Sequence, residues 1–169
     1  MVIRHRKLLL PALLASLLVL SGCEKTPPPD CPYTSDTDAG ANAGCLITRG
    51  DDVLIITMRL TGKQSIPGGT TDIGESPRCT AHRETFEETG VQVNVHELLD
   101  KFDNGFHVYR CTPVDENQVP SPQDWKEVSD VGWRSWLSLN SDNWRFPEQF
   151  ERTRRMIRKQ ITGISKQLD

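Results

Sequence analysis

The sequence predicts an α/β domain, and three observations predict it. Short β-rich runs flank one strongly signalled helix; a glycine-rich loop feeds that helix; and the chain closes on a second helix with a single apolar stripe. The 169 residues suit one domain of ordinary size, and no internal repeat marks a second.

Taken in order, Cys45–Thr48 and Val53–Arg59 are strand-like, joined by the turn-forming Arg49-Gly50-Asp51-Asp52. Residues 60–67 read as a loop leading into Pro67-Gly68-Gly69. Gly68, Gly69 and Gly74 permit positive φ and close approach of backbone to a ligand. Ser76 is a fitting N-cap, Pro77 fits the first helical position, and Gly90 sits where a left-handed C-terminal cap belongs. Val91, Val93 and Val95 then alternate with polar residues as in a half-buried strand, and Phe106–Cys111 reads as another. Thr112–Lys126 is polar and proline-bearing, a long surface loop of the kind that carries function. Val131–Leu139, with Trp133 and Trp136, predicts a strand followed by a turn or short helix. From Pro147 to Leu168, Phe150, Thr153, Ile157, Ile161, Ile164 and Leu168 fall at helical spacing, with Arg and Lys on a solvated outer side.

The chemistry concentrates on the first helix. Residues three and four apart share a helix face, so Glu84, Glu87 and Glu88 project together. Three like charges on one turn destabilise a bare helix, and hard oxygen donors at that density suit Mg²⁺ or Mn²⁺. An acidic solvated face is the alternative reading of the same residues. Arg83 precedes the set, and Glu75 lies in the loop before it.

The stretch resembles the Nudix signature: Gly69, five residues, Glu75, seven residues, Arg83-Glu84, then Thr85, Phe86, Glu87-Glu88, Thr89, Gly90 and Val91. The departure is Thr85, where the pattern prefers an aliphatic residue. The resemblance implies an α/β/α sandwich with a mixed sheet, and hydrolysis of a diphosphate linkage in a nucleoside-diphosphate-type substrate with Mg²⁺ or Mn²⁺. It implies Glu87 and Glu88 as metal ligands, Glu84 as ligand or general base, and the Gly68 carbonyl as a further ligand. It also implies an Arg83–Glu75 pair that fixes the loop, structural roles for Gly69 and Gly90, and one carboxylate from the late loop. Glu127 is the first candidate for that carboxylate and Glu116 the second. A catalytically silent binding or scaffold protein of the same fold is the alternative. His82, His107 and Trp133 read as structural residues. Tyr109 lies near a tyrosine of the dinucleoside-polyphosphate branch. Trp144-Arg145-Phe146-Pro147 and Thr57-Met58-Arg59 match other branch motifs only in part.

The N-terminus carries separate signals. Arg4, His5, Arg6 and Lys7 precede an apolar run, Leu8–Leu20, of signal-peptide length. Leu20-Ser21-Gly22-Cys23 resembles a bacterial lipobox, which implies cleavage before Cys23, lipid on Cys23, and a domain held on the periplasmic side of a membrane. The expected organisation is a leader over 1–22, a Pro-rich tether over 23–43 and the domain over 44–169. Loss of the leader leaves 17 Lys+Arg against 23 Asp+Glu, a net charge of −6, which argues against nucleic acid as a partner. Cys31, Cys45, Cys79 and Cys111 remain, an even number that suggests disulfides in an exported chain. Four cysteines allow three pairings and sequence does not choose among them; Cys31–Cys45 with Cys79–Cys111 is the favoured set. Cys79 falls on the helix side opposite Glu84 and Glu88, which counts against a metal role.

Overall fold

The computed structural model describes residues 26–33 and 40–165. The leader, Cys23 and Leu168 lie outside the described residues. Among those described, no helix is long and apolar enough to cross a membrane.

Two four-stranded sheets sit between two helices. The strands are β1 (Ala43–Leu46), β2 (Thr48–Arg49), β3 (Asp52–Met58), β4 (Gln64–Ser65), β5 (Gly68–Gly69), β6 (Val93–Lys101), β7 (His107–Pro113) and β8 (Val128–Ser135). The helices are α1 (Pro77–Thr89) and α2 (Phe150–Ser165). One sheet has the order β5-β1-β7-β6, with β1 and β7 parallel and the other pairs antiparallel. In the second, β3 pairs with β2, β4 and β8, all antiparallel. The α/β/α architecture and its mixed sheet are those the sequence predicts.

Period-two geometry explains the core. Ala43, Cys45, Ile47 and Leu54 join Ala81 of α1 in one apolar cluster, together with Val91, Val93 and Val95. Leu46, Val53 and Ile55 point the other way, into a cluster with Phe150 and Ile157 of α2. Both faces are covered, so residues 53–56 are apolar without alternation. On α2, Phe150, Thr153 and Ile157 are buried, as the helical spacing predicts.

The cysteine pairing corrects the favoured set. The bonds are Cys31–Cys79 and Cys45–Cys111. Cys45 and Cys111 stand on the adjacent strands β1 and β7 and face the same cluster, a proximity made by a crossover rather than by sequence. Cys31 lies where the N-terminal segment crosses the start of α1. Tyr33 is seated there too: its hydroxyl accepts the Val95 N–H at 2.6 Å, and its ring lies 4.4 Å from the Arg78 guanidinium. Part of the stretch expected to act as a tether is therefore fastened to the domain.

β4, β5 and the outer half of β6 escape the sequence reading; β5 is the glycine pair read as loop. β4 lies inside the expected loop over 60–67 and is only two residues long. β6 runs to Lys101, well past Val95, because its register shifts twice and erases the alternation.

Candidate active site

Local chemistry fixes α1. Ser76 is extended (φ −79°, ψ 153°) and its hydroxyl accepts the Cys79 N–H at 3.4 Å. Gly90 is left-handed at φ 71°, and its N–H closes on the Phe86 carbonyl at 2.7 Å. Beyond it, the 114–127 loop folds back on the helix end. Ser121 N–H reaches the Thr89 carbonyl at 2.7 Å, and the amides of Gln123 and Asp124 reach the Glu87 carbonyl at 3.0 and 2.7 Å. The loop satisfies helix carbonyls that otherwise lack partners. In doing so it brings Asp124 and Glu127 beside α1.

One pocket results. It is lined by Gly68, Gly69, Thr70, Glu84, Glu87, Glu88, Asp124, Glu127 and Arg145. Glu84, Glu87, Glu88, Gly68, Gly69 and Glu127 were all singled out in the sequence, and the structure brings them together. Glu116 is exposed and stands apart from the pocket. Asp124 and Arg145 were missed. Asp124 had a signal, since it lies three residues before Glu127. Arg145 had one only as part of an incomplete motif.

Arg83 ties the loop to the helix. Its Nε and Nη2 donate to the two oxygens of Glu75 at 3.0 and 2.8 Å, and Nη2 also reaches the Thr70 carbonyl at 2.8 Å. Nη1 donates to Glu84 at 2.9 Å and to Glu87 at 3.2 Å. The expected Arg83–Glu75 pair is present and bidentate. Glu88 is 2% exposed and turns toward β5, where its carboxylate accepts the Gly68 N–H at 2.6 Å. Gly69 is packed so closely that a side chain there would run into the Glu84 carboxylate.

Burial sets the electrostatics. It raises the pKa of Glu88 well above the usual carboxylate value; the Gly68 amide and the charge of Arg145 oppose the shift, and Glu84 and Glu127 add to it. Burial also raises Glu84, with Arg83 opposing and Glu87 and Glu127 reinforcing. Glu75 goes the other way. Its burial pushes upward, but hydrogen bonds from Arg83, Asp72 and Thr80 outweigh it and hold the carboxyl low.

Among the described residues no three His, Cys, Asp or Glu side chains stand together as a formed metal cluster. The Glu84 and Glu87 oxygens share Arg83, and a Glu88 oxygen is taken by Gly68. The donor set nonetheless fits a hard divalent cation: five carboxylates, no thiolate and no imidazole line the pocket. Arg83 already supplies positive charge between two of them.

The other residues of interest lie elsewhere. Tyr109 is 6% exposed and belongs to the core. Trp133 lies under the Arg49 guanidinium, 4.1 Å from its ring centre. His82 is buried edge-on to Tyr33 with its pKa lowered by burial, away from the carboxylate pocket. Thr85 is fully buried and its hydroxyl has no hydrogen-bond partner among the described residues, so it fills the aliphatic position at some cost.

Comparison with known proteins agrees with this arrangement. The family model described as NUDIX domain matches residues 38–159. A MutT-like protein of Streptomyces ambofaciens is 33% identical over 76 residues, 42% of this chain and 49% of that one. Human diphosphoinositol polyphosphate phosphohydrolase 2 is 29% identical over 102 residues, 57% of each chain. The chain thus spans about half the length of the curated relatives it matches. Among solved structures, a UDP-X diphosphatase superposes with a TM-score of 0.61 at 20% identity, covering 78% of this chain and 67% of that one. A NUDIX hydrolase from Nitrosomonas europaea gives the same score and identity over 79% and 80%. At that identity the likeness concerns the fold, and the family rests on the domain match: this chain belongs to the NUDIX domain family.

Proposed function

We propose that this chain hydrolyses a diphosphate linkage between a nucleoside-type group and a second substituent, with Mg²⁺ or Mn²⁺. The observation that carries the reading is the convergence of five carboxylates from two elements on one pocket walled by glycine backbone. Clustered like charges cost stability, and a fold that keeps them has a use for a cation. Glu84, Glu87 and Glu88 are the residues assigned to hold it. A divalent cation there would neutralise diphosphate charge and make bound water more acidic.

The chain's own groups supply the rest. The lack of side chains at Gly68 and Gly69 lets this backbone lie against β1 and the Glu84 carboxylate, which sets the loop at the edge of the pocket. Arg83 keeps that loop against α1. Glu127, on the loop anchored to the helix end, is assigned the proton from the attacking water. In Glu127→Gln, kcat is expected to fall by about 10²–10⁴-fold while divalent-cation uptake, read by calorimetry, persists. Unchanged kcat would remove Glu127 from this role. Activity against no member of a diphosphate panel, with the cation bound, would favour a silent binding protein.

We further propose that the chain is exported and lipidated at Cys23. Four of its five cysteines pair with one another, which suits an oxidising compartment and leaves Cys23 over. Radiolabelled palmitate incorporated by the wild type and lost in Cys23→Ser is the expected result; equal labelling would contradict it.

A further inference from the structure

Two guanidinium groups stand near the acidic pocket, and one of them is fully engaged. Arg83 is bonded to Glu75, Glu84 and Glu87. Arg145 is exposed and makes no close ion pair among the described residues; it meets the Met58 sulfur at 3.7 Å and the face of Phe146 at 5.1 Å, and its charge acts at longer range on the buried Glu88 carboxyl. Its backbone is nevertheless fixed. The Arg145 N–H donates to the Gln64 carbonyl at 2.8 Å, and the neighbouring Trp144 is 3% exposed against Phe150.

Arg145 lines two spaces at once. One is the carboxylate pocket; the other is an adjoining cleft that shares Gly68, Gly69 and Thr70 with it. The cleft has about 580 Å³ of space between its walls, part of it open to solvent. Phe102, Phe106 and Trp144 give it apolar walls, and Asn42, Asn104 and Gln149 give it neutral polar groups. Among the described residues lining it, Arg145 alone is charged.

We propose that Arg145 grips a phosphate of the substrate at this junction, so that the substituent beyond it enters a cleft that accepts only uncharged groups. This rests on the diphosphate-hydrolase reading. A guanidinium that makes no close ion pair with the carboxylates around it can turn its fork of donors on phosphate oxygens. A ring bearing several further phosphates would set their charges beside aromatic walls, with no second cation in the lining to pair with them. A diphosphate joined to a neutral sugar or similar group meets no such cost. The selection therefore excludes multiply phosphorylated rings, the substrate class in the names of the mammalian relatives.

The test uses the full chain with Mg²⁺, in wild type, Arg145→Gln and Arg145→Lys. Substrates are a nucleoside diphosphate hexose and a diphosphoinositol polyphosphate, and a methylene-bridged analogue of the former is titrated by calorimetry. Expected are kcat/KM at least about 100-fold higher for the hexose, and a rise in KM of about 10- to 100-fold in Arg145→Gln with a smaller change in kcat. Analogue binding weakens in parallel, and Arg145→Lys recovers part of it. Equal kcat/KM for the two substrates, or unchanged KM and analogue affinity in Arg145→Gln, overturns the proposal. Absence of hydrolysis with Arg145-dependent analogue binding intact would overturn the hydrolase reading while supporting the contact between Arg145 and phosphate. Should Arg145→Gln fail to fold, Arg145→Lys decides: affinity falling severalfold supports the grip, because the bidentate fork is lost, and unchanged affinity refutes it.

Discussion

At the scale of single residues, the Arg83–Glu75 pair decides whether the glycine loop stays on the helix. Both side chains are mostly buried, at 18% and 14% exposure, so the pair is not an exposed ion pair of negligible value. Glu75→Gln keeps the shape but loses the charge, and is expected to cost about 1.5–3 kcal/mol in urea unfolding at neutral pH. The pH dependence follows from the sign of the shift. The folded carboxyl is held below its ordinary value of 4.5, so its contribution is complete above that value and is lost as pH falls through the lower folded one. The gap between wild type and Glu75→Gln should therefore close on acidification below about pH 4; a gap constant from pH 7 to pH 3 would contradict the pairing. This pair was legible because both members sit inside a spaced motif. So were Glu84, Glu87 and Glu88, which helical periodicity alone places on one side. Arg145 was not, because nothing in its local sequence says that the segment before the last helix returns to the glycine loop. That return depends on a backbone bond to Gln64, a contact between residues 81 positions apart.

At the scale of elements, α1 is a helix whose two ends do different work. Its start receives the N-terminal segment through Cys31–Cys79, and its end receives the loop that carries Asp124 and Glu127. Gly90 couples these facts, since it ends the helix and lies directly under the loop. A Cβ there would meet the Ser121 carbonyl at 2.6 Å, on a backbone with φ 71°. Gly90→Ala is expected to destabilise by about 1–3 kcal/mol. It should also lower the proposed activity more than stability alone explains, because the loop must shift. Equilibrium unfolding and kcat at saturating substrate check both parts, and wild-type values for either would contradict the arrangement. The caps of α1 were readable because each is a single residue with a local job. β6 was readable only as far as Val95. Its two register shifts break the alternation that marks a strand, and its outer half is held by partners the sequence cannot anticipate. One of these is Arg152 of α2, which bonds both oxygens of Asp100 at 3.0 and 2.7 Å.

At the scale of the whole molecule, two sheets between two helices form a scaffold that two long-range crosslinks reinforce, one of them inside the core. Cys45 and Cys111 close a sequence separation of 66 residues within the core. By the loop-entropy argument this contributes about 4 kcal/mol, so Cys45→Ala/Cys111→Ala should lower the unfolding midpoint clearly while the fold survives in mild conditions. A midpoint within a degree or two of wild type would show that the crosslink adds little. The partner choice was the part of the cysteine pattern that sequence could not provide. Which strands become neighbours is set by the crossover that makes β1 and β7 parallel, and adjacency along the chain is a poor guide to it. The architecture holds the glycine loop, the acidic face of α1 and the late loop at one end, and the proposed chemistry depends on that convergence. The most direct test is hydrolysis of the diphosphate linkage of a nucleoside diphosphate hexose by the purified protein, in Mg²⁺ and in chelator, for wild type and Glu88→Gln. Turnover is expected only for wild type with the divalent cation, with far-ultraviolet circular dichroism unchanged by the substitution. Equal turnover in chelator, or in folded Glu88→Gln, would contradict the proposed chemistry.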